Sequence, residues 1–170
     1  MKCRKWMAIT LAAMLAMGTM TMAFAEDEPE NSGTTYTETV AVSDGSTKTV
    51  DGNVSVSSGN AVSAENSSTV TVEGNATSNG YNAKAVKVDN STVTVEGDVS
   101  ATGDHSYAVS ASNYSTVTVE GDATATSYNG TAVNAFSYST VTVEGDVTGN
   151  AYGVLANYNS TVTVGKEVTG

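Results

Sequence analysis

The sequence is poor in the residues that usually fill a protein core. From Glu26 onward it has no Arg, Cys, Met, Ile or Trp, one Leu (Leu155), one Phe (Phe136) and one Pro (Pro29). Helical bundles draw their cores largely from Leu, Ile, Met and Phe, so that class is excluded. With the only cysteine at Cys3, disulfides, thiol catalysis and cysteine metal sites are excluded for the rest of the chain. Positive charge is scarce as well, with 7 Lys and Arg against 18 Asp and Glu. Binding to nucleic acid needs the opposite balance, as does docking on anionic lipid. The one histidine, His105, stands in a single repeat and reads as a turn residue. Acids that follow a repeat, instead of gathering in one place, give catalysis no support.

The missing residue types are concentrated at the start. Lys2, Arg4 and Lys5 precede a mostly apolar stretch from Trp6 to Met22, and Ala23-Phe24-Ala25 follows. This is the pattern of a secretory signal peptide over residues 1–25, with Ala23 and Ala25 as the small residues of the cleavage site. Cleavage before Glu26 leaves 4 Lys and 18 acids, a net charge of −14. No second apolar segment follows, so the processed chain is expected outside the membrane. Residues 26–45 read as an acidic linker, with Tyr36 to Ser43 as a candidate first strand or cap.

What the sequence has in abundance is Val, Thr, Ser, Ala, Gly and Asn, in repeats. Ser-Thr-Val-Thr-Val begins at Ser68, Ser91, Ser115, Ser139 and Ser160, and the first four copies continue Glu-Gly-Asp/Asn-Val/Ala. A degenerate copy starts at Ser46. Between copies stands a second string, Ala61-Val62-Ser63-Ala64 and its counterparts at Ala85, Ala108, Ala132 and Gly153. Both strings alternate with period two, the signature of strands, and both are dense in β-branched residues that disfavour helix. A strand of about five residues cannot bury its apolar side alone. Stacking equivalent strands at ~4.8 Å lets each repeat pair with the next. Val70, Val93, Val117, Val141 and Val162 then form one inward column. Val72, Val95, Val119, Val143 and Val164 form another, and Val62, Val86, Val109, Val133 and Val154 a third. The expected fold is all-β: a parallel β-helix of about six coils of 21–24 residues over residues 46–170, each coil built from two or three strands. An open parallel edge after the last repeat invites another strand; the expectations are end-to-end self-association or a longer natural chain.

The Ser-Thr-Val-Thr-Val-Glu-Gly-Asp and Ala-Val-Ser-Ala strings resemble those of secreted bacterial right-handed β-helix repeat proteins, including adhesin-like passenger regions. The resemblance spans about residues 46–170. It implies a protein that is secreted or held at the cell surface of a bacterium, with glycans or proteins of a cell surface as partners.

Three outward ladders are the candidate sites. Glu73, Glu96, Glu120 and Glu144 form an acidic column, with Asp98, Asp122 and Asp146 two residues further on. Carboxylates ~5 Å apart repel by about 1 kcal/mol per pair even in water. Calcium could bridge them, since hard oxygen ligands suit it. The plainer reading, which is preferred, is a solvated ladder that guards against association, with no cofactor. Thr69/Thr71, Thr92/Thr94, Thr116/Thr118, Thr140/Thr142 and Thr161/Thr163 form a regular hydroxyl array. It resembles the Thr-x-Thr faces of ice-binding solenoids, although Thr is also a generic outward strand residue. Tyrosines recur in two rows, Tyr81, Tyr107, Tyr128 and Tyr152 in one, and Tyr114, Tyr138 and Tyr158 in the other. Exposed Tyr suits contact with proteins or sugars; stacking between coils explains the same spacing. The reading that follows is a non-enzymatic, exported adhesin-like module or structural stalk. The alternatives are an ice- or calcium-binding solenoid and, behind them, a polysaccharide-acting β-helix enzyme.

Overall fold

The computed structural model describes residues 33–170; the leader with Ala23 and Ala25, and the linker through residue 32, lie outside the described residues. The described chain is all-β, a parallel β-solenoid of about six turns whose three sheets hold 7, 6 and 6 strands. Every strand pairing among the described residues is parallel. The Ser-Thr-Val-Thr-Val strings form one sheet, running from Thr47–Val50 to Thr161–Val164. The Ala-Val-Ser-Ala strings form the second, from Val40–Val42 to Tyr152–Ala156.

The third sheet is made by the residues after each Glu-Gly-Asp/Asn turn, such as Ala76–Ser78, Val99–Ala101 and Ala123–Ala125. Each coil therefore carries three strands. The third-sheet strands hold two to four residues, too few for alternation to stand out from the string that precedes them. Stacking also starts upstream of Ser46. Val40–Val42 pairs in register with Val62–Ala64, and Thr35–Tyr36 with Asn53–Val54, so the candidate cap is part of the solenoid itself.

The register stacks like on like. Val70 pairs with Val93, Val93 with Val117, and Val117 with Val141. Val62, Val86, Val109, Val133 and Val154 follow one another in the second sheet. Most of these side chains have no exposed surface at all. Each fully buried Val contributes roughly 1.5–3 kcal/mol. The third sheet faces them with Val54, Val99 and Val147 and, between these, with smaller residues. Ala76, Ala123 and Ala125 are buried, so the interior is narrow and Leu or Phe would overfill it. Burial fades at the last coil, where Val154, Val162 and Val164 are only partly covered and Val168 is 49% exposed. At the opposite end the column that begins with Val70 is continued by Lys48, which is exposed. A charge there blunts that end of the column.

The corners before Ser68, Ser115, Ser139 and Ser160 share one mechanism. Two successive residues take left-handed backbone: Asn66 and Ser67 (φ 57° and 64°), Asn113 and Tyr114 (56° and 63°), Ser137 and Tyr138 (53° and 62°). The serine that follows points inward and closes the turn. Its hydroxyl donates to the carbonyl three residues back, as Ser68 does to Glu65 at 2.6 Å and Ser139 to Phe136 at 2.7 Å. The same oxygen accepts a backbone N–H from the coil before: Ser68 N–H donates to Ser91 Oγ at 3.1 Å and Ser115 N–H to Ser139 Oγ at 3.3 Å. The first letter of the repeat is thus a buried hydrogen-bond ladder. Left-handed backbone costs a non-glycine residue about 1–2 kcal/mol, and the Ser137 side chain adds no bond to this corner ladder that would compensate. Ser137→Gly is therefore expected to raise the urea midpoint by the equivalent of about 0.5–1 kcal/mol, after glycine's own entropic cost. Ser139→Ala, two residues on, is expected to lower it by about 1–3 kcal/mol, because buried polar groups lose their partner.

Candidate functional site

The outward face of the Ser-Thr-Val-Thr-Val sheet carries the threonine array in full register. Thr47, Thr69, Thr92, Thr116, Thr140 and Thr161 form one column, and Thr49, Thr71, Thr94, Thr118, Thr142 and Thr163 the other. Glu73, Glu96, Glu120 and Glu144 lie next along the same face and are all exposed. Each donates its backbone N–H to the coil before, for example Glu96 to the Val72 carbonyl at 2.9 Å. Their carboxylates stay in water.

The Asp residues do something different. Asp98 Oδ1 accepts the backbone N–H of Asp122 at 2.8 Å, and Asp122 Oδ1 accepts that of Asp146 at 2.8 Å. Asp146 Oδ1 in turn accepts from Glu167 at 2.9 Å. In the earlier coils asparagines play the same part: Asn53 Oδ1 accepts from Asn75 at 2.8 Å, and Asn75 Oδ1 from Asp98 at 2.7 Å. The column is a continuous side-chain-to-backbone ladder that satisfies the N–H left free at each turn. Among the described residues no three His, Cys, Asp or Glu side chains come together in a group that could hold a metal ion. The Asp and Glu columns run side by side and do not converge. Because an amide oxygen serves as well as a carboxylate, Asp98→Asn is expected to leave the melting temperature nearly unchanged, with calcium or with chelator. Asp98→Ala strands the Asp122 N–H and is expected to cost about 1–3 kcal/mol. A calcium-dependent loss in Asp98→Asn would support a metal role for the column.

Two other charged contacts are cross-coil or local to a corner. Lys87 meets Glu65 at 2.6 Å with both side chains 38% exposed, a pair of the kind that contributes about 0.2–1 kcal/mol. Asp44 sits at a corner, and its carboxyl is held below the ordinary carboxylate value by the Ser46 hydroxyl and by the Ser46 backbone N–H. Its folded pKa is lowered, so this contribution is present above the usual carboxylate range and disappears as pH falls through the folded value.

The aromatic rows are real but are drawn differently from the sequence expectation. Tyr81, His105 and Tyr128 form one row, with edge-to-face contacts at 5.5 Å between ring centroids. Tyr107 and Tyr152 belong to another column. Tyr107 pairs with Lys84 and with Thr131, and Thr131 with Tyr152. The interval between tyrosines misleads here because His105 occupies the Tyr position in its coil. Its left-handed φ of 58° agrees with a turn residue. Tyr114 and Tyr138 stack face to face at 5.1 Å with planes 5° apart. Tyr158 meets Phe136 edge-on at 4.6 Å. Tyr81, Tyr114, Tyr128 and Tyr158 are each at least 66% exposed, so these rings are stacked between coils and open to solvent at once.

Neither the serine ladder nor the Asp/Asn ladder is evident from the sequence as a hydrogen-bonding device. The interchange of Asp and Asn at one repeat position is the available signal, since it marks a site that needs an oxygen acceptor and not a charge. The chain matches no protein-family model, no curated protein and no solved structure.

Proposed function

We propose that the protein is an exported, non-enzymatic surface module, adhesin-like or a structural stalk, that works by displaying repeated side-chain ladders to a partner. One observation carries this reading: the same residue types recur in register in coil after coil, Thr beside Glu on one face and aromatic rings at the corners. A periodic display suits contact with an extended or repeated partner, because each coil adds an equivalent contact and weak contacts sum. The leader pattern at Ala23 and Ala25 and the acid excess support export and solubility. The partner class is a glycan or a protein of a cell surface. Immunolabelling of intact and lysed producing cells tests the reading. Labelling of intact cells or recovery from the medium is expected, and a protein found only in the cytosol would overturn it. Binding of the purified chain to cell surfaces separates an adhesin from a stalk.

The unbroken double column of threonines supports ice binding as a second reading. The exposed Glu column on the same face weighs against it, because charges hold liquid-like hydration. A thermal hysteresis measurement showing unshaped ice crystals would remove it.

A further inference from the structure

One corner of the solenoid lacks a rung. In register, Glu65 pairs with Asp89 and Asp89 with Ser112, while Thr69, Thr92 and Thr116 align further on. Between these fixed points one coil has Asn66, Ser67 and Ser68, and the coil two above it has Asn113, Tyr114 and Ser115. The coil between has only Asn90 and Ser91. The residue that would sit between Ser67 and Tyr114 is absent. This is why Ser68 and Ser91 are 23 residues apart while Ser115 and Ser139 are 24 apart. The gap is a depression of about 210 Å³ lined by Ser67, Thr69, Asn90, Thr92 and Tyr114, with the corner serines behind them. Tyr114 covers one ring face with Tyr138, parallel to within 5°. Its other face closes the depression, and the residue is 71% exposed.

We propose that this slot binds one neutral pyranose ring of a glycan chain, seated on the free face of Tyr114. The proposal rests on the surface-module reading and names its partner class. Three features fit. A missing rung sets the flanking Ser67 and Tyr114 backbones two coil spacings apart, ~9.6 Å; Asn90 holds Ser67 through its carbonyl oxygen at 2.7 Å and its Nδ2 at 3.4 Å, and one saturated six-membered ring enters against Tyr114. The volume lies below the roughly 300–1,000 Å³ of pockets for drug-sized ligands, so one ring enters and the rest of a chain lies outside along the corner. The lining is amphipathic in the way a sugar is. One aromatic face meets the C–H face of a pyranose, and the Thr69 and Thr92 hydroxyls, with the Ser67 hydroxyl that accepts from Asn90 Nδ2 at 3.4 Å, meet its hydroxyl rim. A flat apolar ligand such as a phenyl side chain would cover those polar groups without pairing them, at a cost. The nearest acids, Glu65 and Asp89, are engaged by Lys87 at 2.6 Å and by Asn113 Nδ2 at 2.9 Å. Among the described residues no cationic side chain lines the slot, so an anionic sugar has no partner there. In the same row Tyr138 stacks on Tyr114 and Tyr158 meets Phe136, but of these rings Tyr114 alone lines the depression.

The test is an amide chemical-shift titration of the full chain with cellotetraose, mannotetraose and galactotetraose in turn. Saturable shifts at Ser67, Asn90 and Tyr114 are expected with at least one of them. Tyr114→Phe keeps the ring face and is expected to bind as the parent does. Tyr114→Ala is expected to weaken binding about tenfold or more. Insertion of one tyrosine between Asn90 and Ser91 restores the missing rung and is expected to abolish binding while the circular dichroism stays that of the parent. Shifts with none of the sugars, unchanged binding in Tyr114→Ala, or saturable binding of a tyrosine-bearing peptide in their place would overturn the proposal. Cell-surface binding that survives Tyr114→Ala defeats this site and leaves the surface-module reading standing. Slot binding by a protein recovered only from the cytosol does the reverse.

Discussion

Deleting one residue, Thr118, is expected to damage this protein more than deleting the 24 residues Ser91–Tyr114. Thr118 separates Val117 from Val119 in a strand paired on both sides, with Thr92–Val95 and with Thr140–Val143. Both valines are fully buried. Side chains alternate with period two, so removing Thr118 turns everything after it to the opposite face. Either Val119 moves out and Glu120 moves in, or the strand leaves both ladders. The loss of Val119 alone forfeits roughly 1.5–3 kcal/mol, and an unpaired Glu120 turned inward costs several more. Removing Ser91–Tyr114 joins Asn90 to Ser115 and regenerates the string Asn-Ser-Thr-Val-Thr-Val-Glu-Gly-Asp. Val72 then stacks on Val119 and Val86 on Val133, the pairing each already makes with its present neighbour. Solenoid stability is approximately a sum over repeats and their interfaces, so the shortened chain loses one such increment and keeps the rest. Gel filtration and far-ultraviolet circular dichroism should show a soluble, strand-rich protein with a lowered melting temperature for the coil deletion. For the Thr118 deletion they should show aggregation, or loss of strand signal. Melting of the Thr118 deletion within a few degrees of the parent would contradict the inward phase of Val117 and Val119.

The contrast shows which parts of the fold could be read from the residues. The inward valine columns were legible because Val70, Val93, Val117 and Val141 recur at the head of identical strings, and alternation alone sets their face. Lys87 agrees with that alternation. It stands between Val86 and Val88, and in the structure it turns outward to reach Glu65. The third sheet was not legible, because strands such as Ala123–Ala125 are too short for a period to show and run on directly from a turn. The serine ladder was hidden for a different reason. Ser68 continues the inward phase of Val70 and Val72, but a hydroxyl at that position reads as loop until the carbonyl of Glu65 and the backbone of the next coil are in place. The aromatic corner was partly legible. Spacing grouped Tyr81 with Tyr128 correctly and Tyr107 with them wrongly, since position within a coil, and not distance along the chain, decides which rings meet. The slot beneath Tyr114 was present in the sequence only as an interval of 23 instead of 24. Such a deficit gains meaning once the register shows which corner gave up the residue.

Gly121→Ala is expected to separate two coils, although alanine is the smallest substitution available. A Cβ at Gly121 would collide with Asp98 Oδ1 and would lie 2.8 Å from the backbone carbon and oxygen of Gly97. Atoms at that distance must move apart, and these are backbone atoms that cannot yield individually. The cause is the Asp/Asn ladder. Asp98 Oδ1 reaches up to accept the Asp122 N–H at 2.8 Å and so occupies the space beside the glycine before it. The same collision recurs at Gly74, Gly97 and Gly145 with Asn53, Asn75 and Asp122, so the pair Gly-Asp/Asn is one device, the glycine making room for the acceptor of the previous coil. Relief requires the coils to part locally, at the expense of the bonds from Gly121 N–H to Gly97 and from Glu120 N–H to Val95, now 3.2 and 2.9 Å long. Overpacking of this kind costs about 1–3 kcal/mol, with about 1 kcal/mol more for each hydrogen bond given up. Gly59 is the control. It has left-handed backbone (φ 74°), but no atom of the described residues stands within 4 Å of the place a Cβ would take, so Gly59→Ala should cost only about 1 kcal/mol. Hydrogen exchange locates the effect: the Gly121, Asp122 and Val119 amides should lose protection in Gly121→Ala, while Val72 and Val88 keep theirs. The double variant Asp98→Gly, Gly121→Ala separates the two sources of strain. Partial recovery is expected, because the carboxylate is gone but the Gly97 backbone remains in contact. Full recovery would assign the whole constraint to the ladder, and none would assign it to the backbone of the stacked turns.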